Sequence, residues 1–224
     1  MATIGQRISD LIGSSYDTIP SNSKKDLINA ACNEVIDMLS NAILLKYSTQ
    51  KVELTSNSFD TPENDRILRV GREIDATANA RVVDCKIVPV EEYDRCTEEG
   101  SIYEATKYSP IFSYADDGSS GSKIKIFPEP TNDERGHVWY ISYLTISTDV
   151  AGLTDIPSIP KTAEQAIVLK SSVNILQAYI SDFVQDEEDS ELQQMITAQQ
   201  AQLMAQFQGE MSRWVNQEEQ PKGE

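Results

Sequence analysis

The stretch TDIPSIPKTAEQAIVLKSS, Thr154 to Ser172, sets two prolines three residues apart between an apolar, β-branched run and an alanine-containing amphipathic one. Proline fixes its own φ and has no N–H to donate, so Pro157 and Pro160 end any ladder that reaches them. Thr162 and Gln165 then have the spacing of a capping box, and Ala166, Leu169, Val173, Leu176, Ile180 and Phe183 step by three and four. The stretch reads as the stop of a β section joined to the start of a long helix. Downstream, the acidic turn QDEED breaks that helix. Ser190 with Gln193 repeats the capping-box spacing, and Leu192, Ile196, Leu203, Phe207 and Met211 fall along one side of a second helix. The two helices are expected to pack as an antiparallel pair.

Upstream, Thr3 and Gln6 make a further capping-box spacing ahead of a short helix with Ile4, Ile8 and Leu11 on one face. From Ser23 to about Leu45, the positions Leu27, Ala31, Val35, Met38, Ala42 and Leu45 predict one helix with a single buried stripe. After Tyr47 the period drops to that of strands in KVELT, RILRV and ARVVDCKIVPV, with TSNSFDTPEND as a surface loop. EEYDRCTEEG is more helical, and SIYEATKYSPIFSYADD predicts a strand broken at Pro110. GSKIKIFPEP and GHVWYISYLTIST, separated by TNDERG, predict an antiparallel hairpin. The fold class is therefore α+β: N-terminal helices, an antiparallel β-rich middle and a C-terminal helical hairpin. The boundaries are 1–47 for the N-terminal helices, 48–153 for the β-rich region and 154–208 for the hairpin.

Thirty-six Asp and Glu against nineteen Lys and Arg leave a net charge of −17 and a pI near 4.4, which repels phosphate at long range and argues against nucleic-acid binding. No apolar run approaches the roughly 20 residues of a spanning helix, and the N-terminus lacks the basic and apolar regions of an export signal, so a soluble, unexported chain is expected. Cys32, Cys85 and Cys96 are odd in number and form no C-x-x-C pair, which predicts buried free thiols rather than disulfides or a zinc site.

Candidates for chemistry are few. His137, the single histidine, precedes Val138 and Trp139 and reads as decoration on an edge strand, since no partner nucleophile is identifiable. The loop DDGSSGS, Asp116 to Ser122, has two glycines but no following Lys-Ser/Thr, so it reads as a hairpin tip rather than a phosphate cradle. The Asp186 to Asp189 cluster lacks the alternation and glycine of a calcium loop. No enzyme, cofactor or metal is expected. Glutamines crowd the last helix, which suits either a solvated face or contact with other subunits, and QEEQPKGE at the end has almost no apolar residue.

S-I-Y-x-A-T-x-x-S-P-I-F, I-x-I-F-P-x-P-T, an aromatic strand and D-x-P-x-x-P leading into a helical hairpin together resemble the head-to-tail connector, or adaptor, proteins of tailed bacteriophages. The resemblance is carried by Ser101 to Pro110, Ile124 to Thr131, Trp139 to Tyr143 and above all Ile156 to Tyr179. It implies a homo-oligomeric ring, a dodecamer, at the neck of the virion. Such a ring joins the portal protein to a tail or nozzle protein, lets DNA pass without specific binding, meets no membrane, and is assembled in the host cytoplasm. It also implies a helical core with the β-rich region inserted into it, and an extended C-terminal segment, 209–224, that contacts the portal, with Phe207, Met211, Trp214 and Val215 as interface residues. Trp214 equally suits packing back onto its own helical hairpin. The Asp116, Asp117, Gly118 and Gly121 loop is expected to reach the tail side. Two alternatives stay open: another neck layer, stopper or tail terminator, and an acidic cytosolic binding module that mimics nucleic acid by charge.

Overall fold

Thr3 and Gln6 start the first helix as their spacing predicts. The Thr3 hydroxyl accepts from the Gln6 N–H at 3.1 Å, and the Gln6 side chain accepts from the Thr3 N–H at 3.4 Å. The structure, a computed structural model, describes residues 2–47, 50–56, 58–60, 65–77, 80–116, 122–142, 154, 156, 159–184 and 190–216. Its helices are α1 (Ile4–Ile12), α2 (Ser14–Thr18), α3 (Ser21–Met38), α4 (Asn41–Tyr47), α5 (Val90–Thr97), α6 (Lys161–Tyr179) and α7 (Ser190–Asn216). The strands are β1 (Lys51–Leu54), β2 (Ser58–Asp60), β3 (Asp65–Glu73), β4 (Val82–Asp84), β5 (Lys86–Ile87), β6 (Ile111–Asp116), β7 (Ser122–Phe127) and β8 (Gly136–Ser142). The chain is α+β and divides into a helical unit, residues 1–43 with 143–224, and a β unit, residues 44–142.

In the helical unit, α6 packs against α1, α2, α3 and α7. A helix surrounded in this way must be small or apolar on all sides. Accordingly Ala163, Ala166, Ile167, Val168, Leu169, Ile175 and Leu176 are all buried, together with Ser171 and Ser172. The single seam read from the sequence is thus one part of a buried circumference. Ile180 opens a π-helical turn, Ile180–Val184, and the side chain of Phe183 lies outside the described residues. The expected Thr162 capping box does not form, because Pro160 occupies the N-cap and its carbonyl accepts from Ala163 at 2.8 Å. Glu164 is instead drawn inward, accepting from the Ile156 N–H at 3.4 Å and from Arg7 of α1 at 3.3 Å, while Arg7 also reaches Gln165 at 3.0 Å. A buried carboxylate needs such partners.

The predicted helix from Ser23 to Leu45 is two helices. Leu39 is extended, and the Ser40 hydroxyl accepts from the Ile43 N–H at 3.3 Å, so a local cap competes with continuation. The buried stripe is also displaced by one residue, running through Ile28, Ala31, Cys32, Val35, Ile36 and Leu39 and leaving Met38 46% exposed. α6 and α7 run antiparallel: Gln200 of α7 donates to Gln177 at 2.6 Å, and Lys170 lies 5.6 Å from the Phe207 ring, so position falls along α7 as it rises along α6. Helix α7 continues to Asn216, which corrects the extended segment expected from Gly209. Met211 is buried one turn after Phe207, and Arg213 pairs with Glu210 at 2.7 Å, so the helical period persists past the glycine.

The β unit holds two four-stranded sheets, ordered β1-β8-β3-β4 and β2-β7-β6-β5. Every pairing is antiparallel except β5 with β6. The chain passes between the sheets at both edges, from β1 to β2 and, through Cys85, from β4 to β5. One apolar core serves both: Leu54, Val70 and Val138 from the first sheet meet Phe112, Ile124 and Ile126 from the second, with Cys85 at the crossing.

Three sequence expectations change here. First, β7 and β8 belong to different sheets, so the predicted hairpin between them is absent. Pro128 and Pro130 end β7, and Arg72 of β3, 3% exposed, holds the connection by donating to the Pro128 carbonyl at 2.8 Å, the Glu129 carbonyl at 3.2 Å and Glu134 at 2.9 Å. The hairpin that does form joins β6 to β7, with Asp116 opposite Ser122. Second, Ser101 to Pro110 is turns with one isolated bridge, Thr106 to Ser109, rather than strand. Third, the loop from Thr55 to Asp65 contains β2, which adds an edge strand to β7. Tyr143 to Leu153, read as the end of the aromatic strand and its sequel, lies outside the described residues.

Candidate functional site

Helix α7 buries Ile196, Leu203, Phe207 and Met211 along one face, as its period requires. Beside that face runs a groove of about 590 Å³ between α3 and α7, lined by Glu34 and Met38 on one side and by Met204, Phe207 and Met211 on the other. Three of the chain's five methionines meet here. Phe207 and Met211, at 2% and 7% exposure, form the floor, and Met38 and the half-buried Met204 form the walls. Beneath the floor Lys170 of α6 joins all three helices: it pairs with Glu34 of α3 at 2.7 Å and faces Phe207 of α7. Lys170 is 12% exposed and Glu34 39%, so the acidic end of the pair is the one that meets solvent.

The proposed portal-facing residues therefore divide. Phe207 and Met211 share the groove but are buried within their own unit. Trp214 is half-buried, and the side chain of Val215 lies outside the described residues. Sequence reasoning missed Met38, Met204 and Glu34. The helical period places Met38 in the buried stripe of α3, and only the one-residue displacement of that stripe turns it outward. Of the glutamines, Gln199 donates to the Leu11 carbonyl at 2.7 Å and Gln200 to Gln177, while Gln193, Gln194, Gln202, Gln206 and Gln208 are exposed.

In the β unit, Asp116 ends β6, whereas Asp117, Gly118 and Gly121 lie outside the described residues. His137 is not on an edge strand. It sits on β8 between β1 and β3, 2% exposed, with Nε2 2.8 Å from Glu73 of β3 and Nδ1 3.9 Å from Glu53 of β1. Arg135 completes the cluster, its N–H donating to Glu73 at 2.9 Å and its guanidinium to Glu53 at 2.7 Å. Hydrogen bonds from Arg135 and Lys51 hold the Glu53 carboxyl below the usual carboxylate range. The imidazole thus ties β8 to β3 through Glu73, while its buried Nδ1 has no hydrogen-bond partner among the described residues. Burial pushes the Cys32 and Cys85 thiols up to about 12, which suits inert core positions, and Cys96 is partly exposed.

Exposed apolar side chains gather in the β unit. Ile87 and Val90, at 62% and 55%, border a hollow of about 350 Å³ that Tyr114 also lines, and Ile102 and Tyr108 stand 91% and 69% exposed. Charge is uneven as well. The helical unit carries seven Lys and Arg against eighteen Asp and Glu, the β unit twelve against eighteen. Among the described residues no helix is long and apolar enough to cross a membrane, and no group of three or more His, Cys, Asp and Glu is placed to hold a metal ion. No protein-family model matches the sequence, and no curated protein is similar to it at a significant level.

Proposed function

We propose that the chain is a structural protein of the neck of a tailed bacteriophage: an adaptor that forms a homo-oligomeric ring, joins the portal vertex of the capsid to the tail and extends the DNA channel. It catalyses nothing, is made in the host cytoplasm and resides in the virion. The observation that carries this reading is the arrangement of the chain, in which an antiparallel β unit is inserted into a helical unit whose central helix follows D-x-P-x-x-P. That is the organisation the resemblance implies. Two further features support it. Apolar side chains left in solvent on the β unit suit contacts between neighbouring copies, which in a ring join two different patches. An acidic surface lets DNA slide past without sticking.

The concentration of acid in the helical unit also favours a second reading, a monomeric acidic module that binds a basic partner. Gradient sedimentation with purified portal protein from the same genome separates the two. Co-migration as a large complex supports the adaptor. A chain that stays at monomer size beside the portal, and equally beside the tail proteins, removes both the adaptor and the other neck layers and leaves the acidic module.

A further inference from the structure

We infer that the groove between α3 and α7 receives an amphipathic helix whose apolar face carries aliphatic side chains and whose flanks carry Lys or Arg, supplied by the portal protein. The source of the helix rests on the adaptor reading; its chemistry rests on the groove. A groove of about 590 Å³ lies within the range of pre-formed binding pockets. Its walls are methionines, whose unbranched, polarizable side chains repack around apolar anchors, and helix-in-groove recognition uses such surfaces. Met38, turned off the buried stripe of α3, stands 46% exposed at the wall of the groove, where a ligand can cover it. The remaining lining groups are Glu34, Gln208 and Ser212, so the one charge a ligand meets inside is a carboxylate, with its cation beneath it. The excess of acid over base throughout the helical unit extends the same field.

Other occupants fit less well. The last eight residues, QEEQPKGE, carry Pro221 as their one apolar side chain, too little to fill the groove. A second copy would offer Ile102 and Tyr103, the former the most exposed large apolar residue among the described residues, but Glu98, Glu99 and Glu104 flank them and would bring carboxylates to a carboxylate.

The test uses the full chain with three probes: a synthetic amphipathic Leu/Lys helix, its Leu/Glu counterpart, and portal protein. Wild type should bind the Leu/Lys peptide and not the Leu/Glu one. Met38→Glu should weaken that binding by about tenfold or more, a cost of roughly 1.4 kcal/mol, with its circular dichroism unchanged. Glu34→Gln, a milder change, should reduce the preference for the Leu/Lys peptide without abolishing binding. Peptide binding indifferent to Met38→Glu, equal binding of the Leu/Glu peptide, or concentration-dependent self-association abolished by Met38→Glu would overturn the inference, the last in favour of a second copy. Portal binding that survives Met38→Glu sinks the groove and leaves the adaptor reading standing. Groove-dependent peptide binding without any portal binding by wild type removes the portal as source and with it the adaptor reading.

Discussion

Truncating Phe207 to alanine separates a residue that holds the chain together from one that only meets a partner. Its ring is 2% exposed against α6, and emptying such a site costs about 3–5 kcal/mol in lost transfer and cavity energy. Lys170 loses its contact with the ring, about 0.5–1 kcal/mol more, although its pair with Glu34 remains. The total, about 3.5–6 kcal/mol, is a large part of the roughly 5–15 kcal/mol by which domains are stable. Met38→Ala, at a half-exposed site, should cost under about 1 kcal/mol. Each unit contains one tryptophan, Trp139 in the β unit and Trp214 in α7, so urea unfolding followed by Trp214 fluorescence in a Trp139→Phe background reports the helical unit alone. With a slope of about 2 kcal/mol per molar urea, Phe207→Ala should lower the midpoint by about 2–3 M and Met38→Ala by about 0.5 M or less. A Phe207→Ala midpoint within about 0.5 M of the parent, or a Met38→Ala shift as large as that of Phe207→Ala, would refute the assignment of floor and wall.

Arg72→Met should destabilise the β unit by about 3–5 kcal/mol, because Glu134 and three backbone carbonyls lose a buried donor, and Arg72→Lys should recover little, since one ammonium cannot reach all of them; Trp139 fluorescence during unfolding reads both. Hydrogen bonds from Lys107 and Arg72 hold the Glu134 carboxyl below its usual range, so its contribution is present above the unfolded carboxylate pKa, about 4.3, and is lost as pH falls through the lower folded value. Glu134→Gln should therefore flatten the loss of β-unit stability between neutral pH and pH 3, measured as the shift of the urea midpoint. Ellman's reagent at pH 8 should label Cys96 alone in the native chain and all three thiols in denaturant; rapid native labelling of Cys32 or Cys85 contradicts their burial. Thr3→Ala should cost about 1 kcal/mol through loss of the α1 capping box, seen in the same Trp214 assay.

Local signals were legible where the competing interactions were also local. The Thr3 capping box, the buried positions of α7 and the start of α6 after Pro160 follow from spacing and from proline's fixed φ, while Pro157 lies outside the described residues. The errors arose where tertiary partners decide. Thr162 has the right spacing for a cap, but Pro160 precedes it and Arg7, distant in sequence, engages Gln165 and Glu164. The TNDERG turn has hairpin composition, yet Arg72 from β3 fastens the preceding Pro128 and Glu129 carbonyls, and β8 joins the other sheet. His137 has the sequence context of an exposed strand start, and its burial depends on Glu53 and Glu73 from two other strands. The groove was hidden for a similar reason. A stripe through Leu27, Ala31, Val35 and Met38 and one through Ile28, Cys32, Val35 and Leu39 fit the helical period equally well, and only packing against α6 chooses between them.

The most direct test of the adaptor account is electron microscopy of this protein mixed with the portal protein of its own genome, after chromatography removes unbound chain. The account predicts a second ring stacked coaxially on the portal, lost when Met38 is replaced by Glu. Portal rings without added density, with the chain recovered as a monomer, would contradict it.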